Sequence, residues 1–279
     1  KQFTDMTQTA ERHGEPIRWN FAMTFQTILV ERKAGYTVVT LNRPGELNAI
    51  SREMRAELED CFFQLEEDGE VRVIILTGGD YVFSAGMDLK EMSAISDTEI
   101  KGYFRSIARY LKKIYGCKKP VIAAVGGMAL GGGFNLATVC DMIIASESAI
   151  FGHPELKFGL NPLFDPLRQW VGMAKAKELT MLGEPIGAKE AMRIGLVNKV
   201  VAPEKLMAET ESMARELARR SPEAIAAVKK ISDIAPRLDK GSALDLECDV
   251  EALLFSGTER KEQMNEFMET LKNRKRKSS

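Results

Sequence analysis

The chain has few of the residues that build metal sites and disulfide frameworks. Its 279 residues include four cysteines and two histidines, and no two cysteines form a Cys-x-x-Cys pair. Zinc sites need closely spaced cysteine and histidine ligands, and small disulfide-stapled folds need many cysteines. We therefore expect no metal site and interpret the cysteines as reduced thiols. Reduced thiols indicate a reducing compartment, the cytoplasm or the matrix of a mitochondrion or peroxisome.

Excess charge of one sign and long apolar runs are also lacking. The 39 Lys and Arg residues balance 40 Asp and Glu residues, so no strong field draws the chain to nucleic acid or anionic lipid. The most apolar stretch, residues 121–136, contains five glycines and is shorter than the ~20 residues that span a bilayer. We expect it to be buried core. Residues 1–23 contain no apolar run and are interpreted as an N-terminal extension.

Short β-branched runs alternate with segments of helical period from residue 27 onward. Strands are predicted at residues 37–41, 71–77, 121–125 and 141–145. Ser51 is a candidate N-cap for the first helix. A capping box at residues 96–99 opens a second helix, in which the apolar stripe predicted to be buried is Ile100, Phe104, Ile107, Leu111 and Ile114. Past residue 166 the chain is mostly helical, so an α/β core of 24–205 and a helical region of 206–279 are expected.

The run Gly131–Gly133 precedes a predicted buried helix. It lacks the following Lys-Ser/Thr of a phosphate-binding loop and does not spell Gly-x-Gly-x-x-Gly. Consecutive glycines let backbone N–H groups at a helix start approach a ligand closely, and the helix dipole favours negative charge there. The run therefore predicts an oxyanion hole, with tight strand-to-helix packing as the alternative.

Five segments of the chain together resemble one enzyme family. They are residues 41–49 (Leu-Asn-Arg-Pro with Leu-Asn-Ala), 83–92, 131–141, 151–155 (Phe-Gly-His-Pro-Glu) and 195–198 (Gly-Leu-Val-Asn). They occur in the order found in the crotonase superfamily, the enoyl-CoA hydratases and isomerases, and the resemblance covers roughly residues 25–272. It implies an α/β crotonase-like spiral of strand, strand, helix turns. It also implies C-terminal helices that build homotrimers, often paired into hexamers.

The resemblance further implies an acyl-CoA thioester as substrate, with no separate cofactor, because coenzyme A is part of the substrate. The thioester oxygen would accept hydrogen bonds from the backbone N–H groups of Met87 and Gly132. Ala85 and Asp88, from the same Ala-Gly-x-Asp motif as Met87, and Gly131 belong to the implied substrate-binding set.

Contacts to coenzyme A follow the family less closely. Lys90 matches a position near the coenzyme A phosphates, and Phe267 matches an aromatic that packs on the adenine of a neighbouring subunit. Thr270 stands where the family has a lysine, and Gly45 follows Asn-Arg-Pro in place of another lysine. We expect Lys90 and Phe267 to bind substrate.

The reaction depends on two positions. Family hydratases hold a water between two glutamates, and this chain keeps only the second, Glu155, with Asn135 at the first. An amide orients water but does not exchange a proton near neutral pH. One carboxylate beside an oxyanion hole suffices to move a double bond through an enolate. The sequence therefore favours enoyl-CoA isomerisation with Glu155 as the base.

Alternatives remain open at this stage. Asp165, in a segment that departs from the family pattern, is either a second carboxylate that permits hydration or an N-cap of the following helix. Hydration can also use Glu155 with a water held by Asn135. Thioester hydrolysis and decarboxylation occur elsewhere in the family. From another class, the basic segment 272–277 suggests an RNA- or protein-binding module, against which the balanced charge argues.

Overall fold

The computed structural model describes residues 25–257, 264–265 and 268–269. The strands are β1 Ile28–Lys33, β2 Tyr36–Leu41, β3 Val73–Thr77, β4 Val82–Ser84, β5 Val121–Val125, β6 Met128–Leu130, β7 Met142–Ser146, β8 Ile150–Gly152, β9 Ile186–Gly187 and β10 Lys199–Val201. The α-helices are α1 Arg52–Glu67, α2 Leu89–Ser93, α3 Ile100–Tyr115, α4 Gly132–Thr138, α5 Phe164–Leu182, α6 Ala188–Arg193, α7 Leu206–Leu217, α8 Pro222–Ile234 and α9 Lys240–Ser256. Short 3-10 turns include Pro154–Phe158.

The strands form two sheets. The first has the order β1-β2-β3-β5-β7-β10, with β1 antiparallel to β2 and the other neighbours parallel. The second has the order β4-β6-β8-β9, with β4, β6 and β8 parallel and β9 antiparallel. From β3 to β8, successive strands alternate between the sheets, so that β3-β4, β5-β6 and β7-β8 each lead into a helix. Three strand, strand, helix turns result, and this confirms the α/β spiral that the resemblance implies.

Both faces of the first sheet are covered. One face packs in the main core with α1, α3 and α4, and the other packs against α7 in a second cluster. Every residue of β3 and of β5 is buried. Burial on both faces explains why these two strands read as continuous apolar runs rather than as alternating ones.

Most of the predicted helices and strands are present, but their first and last residues differ from the predicted ones. Ser51 is the N-cap of α1, since its side chain accepts a hydrogen bond from the Met54 N–H. The stripe predicted for α3 is partly wrong: Ile100 and Phe104 are exposed, while Tyr103 and Tyr110 are buried. Tyr110 belongs to the main core, and the Tyr103 ring lies against the Arg55 guanidinium of α1.

Candidate active site

Three loops meet at one edge of the second sheet. They follow β4, β6 and β8, which are parallel neighbours, so their carboxyl ends lie side by side. Met87 follows β4, Gly131 and Gly132 follow β6, and Glu155 follows β8. The Gly131 N–H donates to the Gly152 carbonyl at 2.9 Å, which joins the second loop to the third. The topology thus brings residues distant in sequence to one place, as open parallel sheets do at ligand sites.

The Met87 and Gly132 backbones are in close contact. A Cβ added at Gly132 would lie 2.9 Å from Sδ of Met87 and 3.3 Å from its backbone nitrogen. Neither the Met87 N–H nor the Gly132 N–H donates a hydrogen bond to another residue within the described part of the chain. Gly132 is the first residue of α4, where N–H groups have no partner inside the helix. The site therefore presents two unpaired N–H donors side by side, as an oxyanion hole requires.

Asp88 fixes the loop that carries the Met87 amide. Its carboxylate caps α2 by accepting from the N–H groups of Lys90 and Glu91, and it accepts from Arg43 Nη1 at 2.9 Å. Burial acts to raise the pKa of Asp88, but the hydrogen bonds from the Glu91 N–H and from Arg43 outweigh it and hold the pKa below its usual value. Asp88 is therefore ionised at neutral pH and anchors the loop through its charge.

A second ion pair anchors the same short helix. The Arg55 guanidinium is 2 % exposed, lies 2.7 Å from Glu91 Oε1, donates to Ser106 Oγ at 2.8 Å and stacks on the Tyr103 ring. It connects α1, α2 and α3. Sequence analysis missed this cluster, because Arg55 reads as one charged residue on an amphipathic helix and its partners are 36 or more positions away.

Glu155 lies on the 3-10 turn Pro154–Phe158, which Gly159 ends in the left-handed conformation. A Cβ added at Gly131 would lie 3.2 Å from Glu155 Oε1, so that oxygen sits against the glycine turn before α4. Gly131 itself has φ +52°, a conformation that favours glycine. The other oxygen, Oε2, is buried and has no hydrogen-bond partner among the described residues. The carboxylate therefore stands beside the two N–H donors.

Asn135 is one turn into α4 and is 6 % exposed. Its Oδ1 is buried and accepts no hydrogen bond from any residue that the structure describes. Buried amide oxygens are normally paired, so this unpaired oxygen is free to accept a hydrogen bond from a bound water or ligand.

Asp165 is not brought to Glu155. It is exposed on α5 and is paired there with Arg168 and Gln169. These partners, with the Arg168 hydrogen bond the largest cause, hold the pKa of Asp165 below its usual value. The expected N-cap role is wrong as well, because the helix begins at Phe164 and its N-cap residue is Leu163. The described site thus contains one carboxylate.

The remaining predicted residues surround this edge or fall outside it. Ala85 precedes Met87, and its N–H donates to the Leu47 carbonyl at 3.0 Å. Lys90 is exposed, three residues beyond Met87. Phe267 lies outside the described residues, as do Thr270 and the basic segment.

In residues 25–257 and the short described pieces after them, no group of three or more His, Cys, Asp or Glu is placed to hold a metal ion. None of the helices that the structure describes is long and apolar enough to cross a membrane.

The chain is similar to known proteins over nearly its whole length. A model of the enoyl-CoA hydratase/isomerase family matches residues 31–276. The short-chain-enoyl-CoA hydratase of Clostridium acetobutylicum is 37% identical over 90% of this chain and 97% of its own length. The crotonyl-CoA hydratase of Syntrophomonas wolfei is 36% identical over 90% of this chain and 98% of its own.

Solved structures agree with these relatives. The enoyl-CoA hydratase from Bacillus anthracis superposes with a TM-score of 0.85 at 31% identity, covering 88% of this chain and 97% of that one. The enoyl-CoA hydratase of Mycobacterium smegmatis gives a TM-score of 0.83 at 32% identity, with 88% and 97% covered. The two-sheet spiral described above is therefore shared with solved structures along most of the chain.

Proposed function

We propose that this chain, which belongs to the enoyl-CoA hydratase/isomerase family, is an enzyme that adds water to the double bond of 2-enoyl-CoA thioesters. The observation that carries the proposal is the position of Glu155 Oε1 against Gly131, beside the unpaired N–H groups of Met87 and Gly132. Hydratase names among the similar proteins favour hydration over the isomerisation that the sequence favours.

The oxyanion hole lowers the barrier by holding charge as it forms. The thioester oxygen accepts from the Met87 and Gly132 N–H groups. When a nucleophile attacks C3, the double-bond electrons move through C2 to this oxygen, which becomes an enolate oxygen. Preorganised N–H donors stabilise that charge, and losing one donor of this kind costs about 10²–10³ in rate.

Glu155 carries the proton in this scheme. It takes one proton from the attacking water as the oxygen bonds to C3, and it returns that proton to C2 as the enolate collapses. One carboxylate thus completes a syn addition with atoms and electrons balanced. Oε1, which faces the glycine turn, is the oxygen placed to exchange the proton.

Asn135 orients the water. Its unpaired Oδ1 accepts from the water O–H that Glu155 does not remove, and this contact directs an oxygen lone pair toward C3. Lys90 and Phe267 complete the proposal as contacts to the coenzyme A moiety, as the resemblance implies.

Double-bond isomerisation is the second candidate, and the single carboxylate of the described site favours it. Glu155 would remove a proton from C2 of a 3-enoyl-CoA thioester, giving a dienolate, and return it to C4. No water is consumed, so Asn135 would have no catalytic task. The oxyanion hole would serve both reactions alike.

Product analysis separates the two candidates. The purified protein is incubated in deuterated water with 2-enoyl-CoA or 3-enoyl-CoA substrates of several chain lengths, and product mass and double-bond position are followed. Hydration predicts a 2-enoyl product heavier by one water, with one carbon-bound deuterium at C2. Migration of the 3-enoyl double bond without water uptake supports isomerisation instead, and no change in any substrate contradicts both.

A further inference from the structure

His153 is a buried side chain that the scheme above does not use. It lies between β8 and the turn that carries Glu155, and it is 1 % exposed. Its ring packs on Phe134 of α4, with 4.7 Å between ring centroids. From the sequence alone, a lone histidine close to Phe151 is more often a packing or hydrogen-bonding residue than a catalyst, so His153 does not enter the predicted catalytic set.

Its polar atoms face a partner that is equally unsatisfied. His153 Nδ1 lies 3.3 Å from Glu155 Oε2. Neither Nδ1, Nε2 nor Oε2 makes an aligned hydrogen bond with the residues that the structure describes. Leaving such atoms buried and unpaired is costly, and hydrogen bonds of catalytic groups often tighten only when substrate binds.

We propose that His153 is the positioning residue for the Glu155 carboxylate, with its Nδ1–H donating to Oε2. This inference rests on the proposed function, in which Glu155 exchanges the proton. A donor at Oε2 fixes the rotation of the carboxylate and leaves Oε1 directed at the glycine turn and the substrate. With the proton on Nδ1, Nε2 is unprotonated. The imidazole nitrogen that remains buried without a partner is then a hydrogen-bond acceptor and not an N–H donor.

Two substitutions separate positioning from packing. His153→Asn keeps an N–H donor near the place of Nδ1, because the Asn Nδ2 lies at a similar distance from its Cβ. His153→Leu fills similar space against Phe134 but has no donor. The pair therefore differs chiefly in the hydrogen bond to Oε2.

Kinetics with the active enoyl-CoA substrate test the proposal. We expect His153→Leu to lower kcat about 10- to 100-fold with KM changed less than about threefold, as for a misplaced reacting group. His153→Asn should recover most of the lost kcat. Equal losses in both variants, a loss confined to KM, or a fully active His153→Leu would overturn the proposal. Wild-type protein inactive on every enoyl-CoA overturns the proposed function instead, and the positioning role of His153 with it.

A spectroscopic readout is independent of turnover. The chain has two histidines, His13 and His153, so the nitrogen-15 spectrum of the imidazoles is simple to assign with the His153→Asn variant. The proposal predicts a protonated Nδ1 in His153 whose signal shifts in the Glu155→Gln variant. An unprotonated Nδ1, or a signal that Glu155→Gln leaves in place, contradicts it.

Discussion

At the scale of single residues, Asn135 distinguishes the two candidate reactions. Its side chain is buried in the first turns of α4, where a hydratase of the family is expected to have a glutamate. An amide oxygen accepts hydrogen bonds but does not take up a proton near neutral pH. In the proposed reaction, Asn135 therefore orients the water, and the proton transfer is assigned to Glu155.

Asn135→Ala should affect hydration and isomerisation unequally. Removing the Oδ1 acceptor loses one hydrogen bond to the attacking water, about 1–1.4 kcal/mol, which corresponds to a hydration kcat lower by roughly five- to tenfold. Isomerisation of a 3-enoyl substrate, which consumes no water, should change much less. The two rates are measured on the same preparation. Equal loss of both rates would show that Asn135 acts through packing alone.

At the scale of elements, the short helix α2 holds the Met87 amide in place. It has only five residues, so its own hydrogen bonds stabilise it little, and two ion pairs anchor it to its neighbours. Asp88 pairs with Arg43, and Glu91 pairs with the buried Arg55. The position of the Met87 amide, a proposed oxyanion-hole donor, is therefore expected to depend on these two ion pairs.

Asp88→Ala should lower both stability and turnover. Loss of the N-cap is expected to reduce the free energy of unfolding by about 1–2 kcal/mol, and the displaced Met87 amide should lower kcat more than it raises KM. Asp88→Asn is the matched control, since it keeps a cap acceptor and loses the charge opposite Arg43. Urea unfolding and steady-state kinetics give both quantities. A destabilised Asp88→Ala with unchanged kcat would contradict the link to the amide.

The stability that Asp88 contributes to the fold depends on pH, because the pKa of its carboxyl group is lowered in the folded chain. A carboxyl whose folded-state pKa lies below its unfolded value of about 3.9 stabilises the fold above that pH. This stability is lost as the pH falls through the folded-state pKa. The difference in unfolding free energy between wild type and Asp88→Asn should therefore be constant near neutrality and narrow only below about pH 4. A difference that narrows already between pH 7 and pH 5 contradicts this assignment.

Helix α8 is fastened to the first sheet by another ion pair. Lys229 Nζ lies 2.6 Å from Asp141 Oδ2 and donates to the Lys119 carbonyl at 2.9 Å, while Asp141 also accepts from the Val121 N–H. Burial raises the pKa of Asp141, and Lys229 opposes that shift. The pair thus gives the partly buried Asp141 carboxyl group a cationic partner just before β7.

Lys229→Met should destabilise the chain by about 1–3 kcal/mol, since it leaves the Asp141 carboxylate without its charged partner. Lys230→Met, at the exposed neighbouring position of the same helix, should change stability by less than about 0.5 kcal/mol. Thermal or urea unfolding of the two variants provides the comparison. Equal stability of both would mean that the ion pair contributes nothing net.

At the scale of the whole molecule, the spacing of apolar residues in the sequence predicts the longer helices and strands but not how they are arranged in space. The apolar runs of β3 and β5 and the helices α1 and α8 were read directly, because each is long enough to show its period. The strands of the second sheet that lead to the site have three residues each, too few for a pattern. The spiral was therefore expected only from the family resemblance.

The site was predictable to a similar extent. The glycine run and Glu155 are predicted from the sequence, since glycines before a helix have few uses and the motif order is specific, and their roles stay predictions. The Arg55 cluster is not predicted, because its partners Glu91 and Ser106 are set by tertiary packing. Asp165 was misplaced for the same reason: its chemistry fits a second carboxylate, but α5 points it to solvent beside Arg168.

The prediction that copies of this chain assemble concerns the C-terminal helices α8 and α9. On the single chain, large apolar side chains of α8 and α9 are exposed, among them Val228 at 66 %, Leu244 at 58 % and Leu253 at 72 %. We expect these helices to pack between copies in a homotrimer or hexamer, as the family resemblance implies. Light scattering should give three or six chains per particle, and Leu253→Glu should weaken the assembly if this face is buried. A monodisperse monomer would contradict the prediction.

The central claim is that one carboxylate, Glu155, carries the proton beside the Met87 and Gly132 amides. The most direct measurement is the rate of 2-enoyl-CoA turnover by Glu155→Gln, together with its affinity for the substrate. We expect a kcat lower by about 10²–10⁴, with Kd changed less than about threefold. The glutamine side chain keeps the shape of the glutamate but cannot take up and return a proton. A variant that keeps more than a tenth of the wild-type kcat would contradict it.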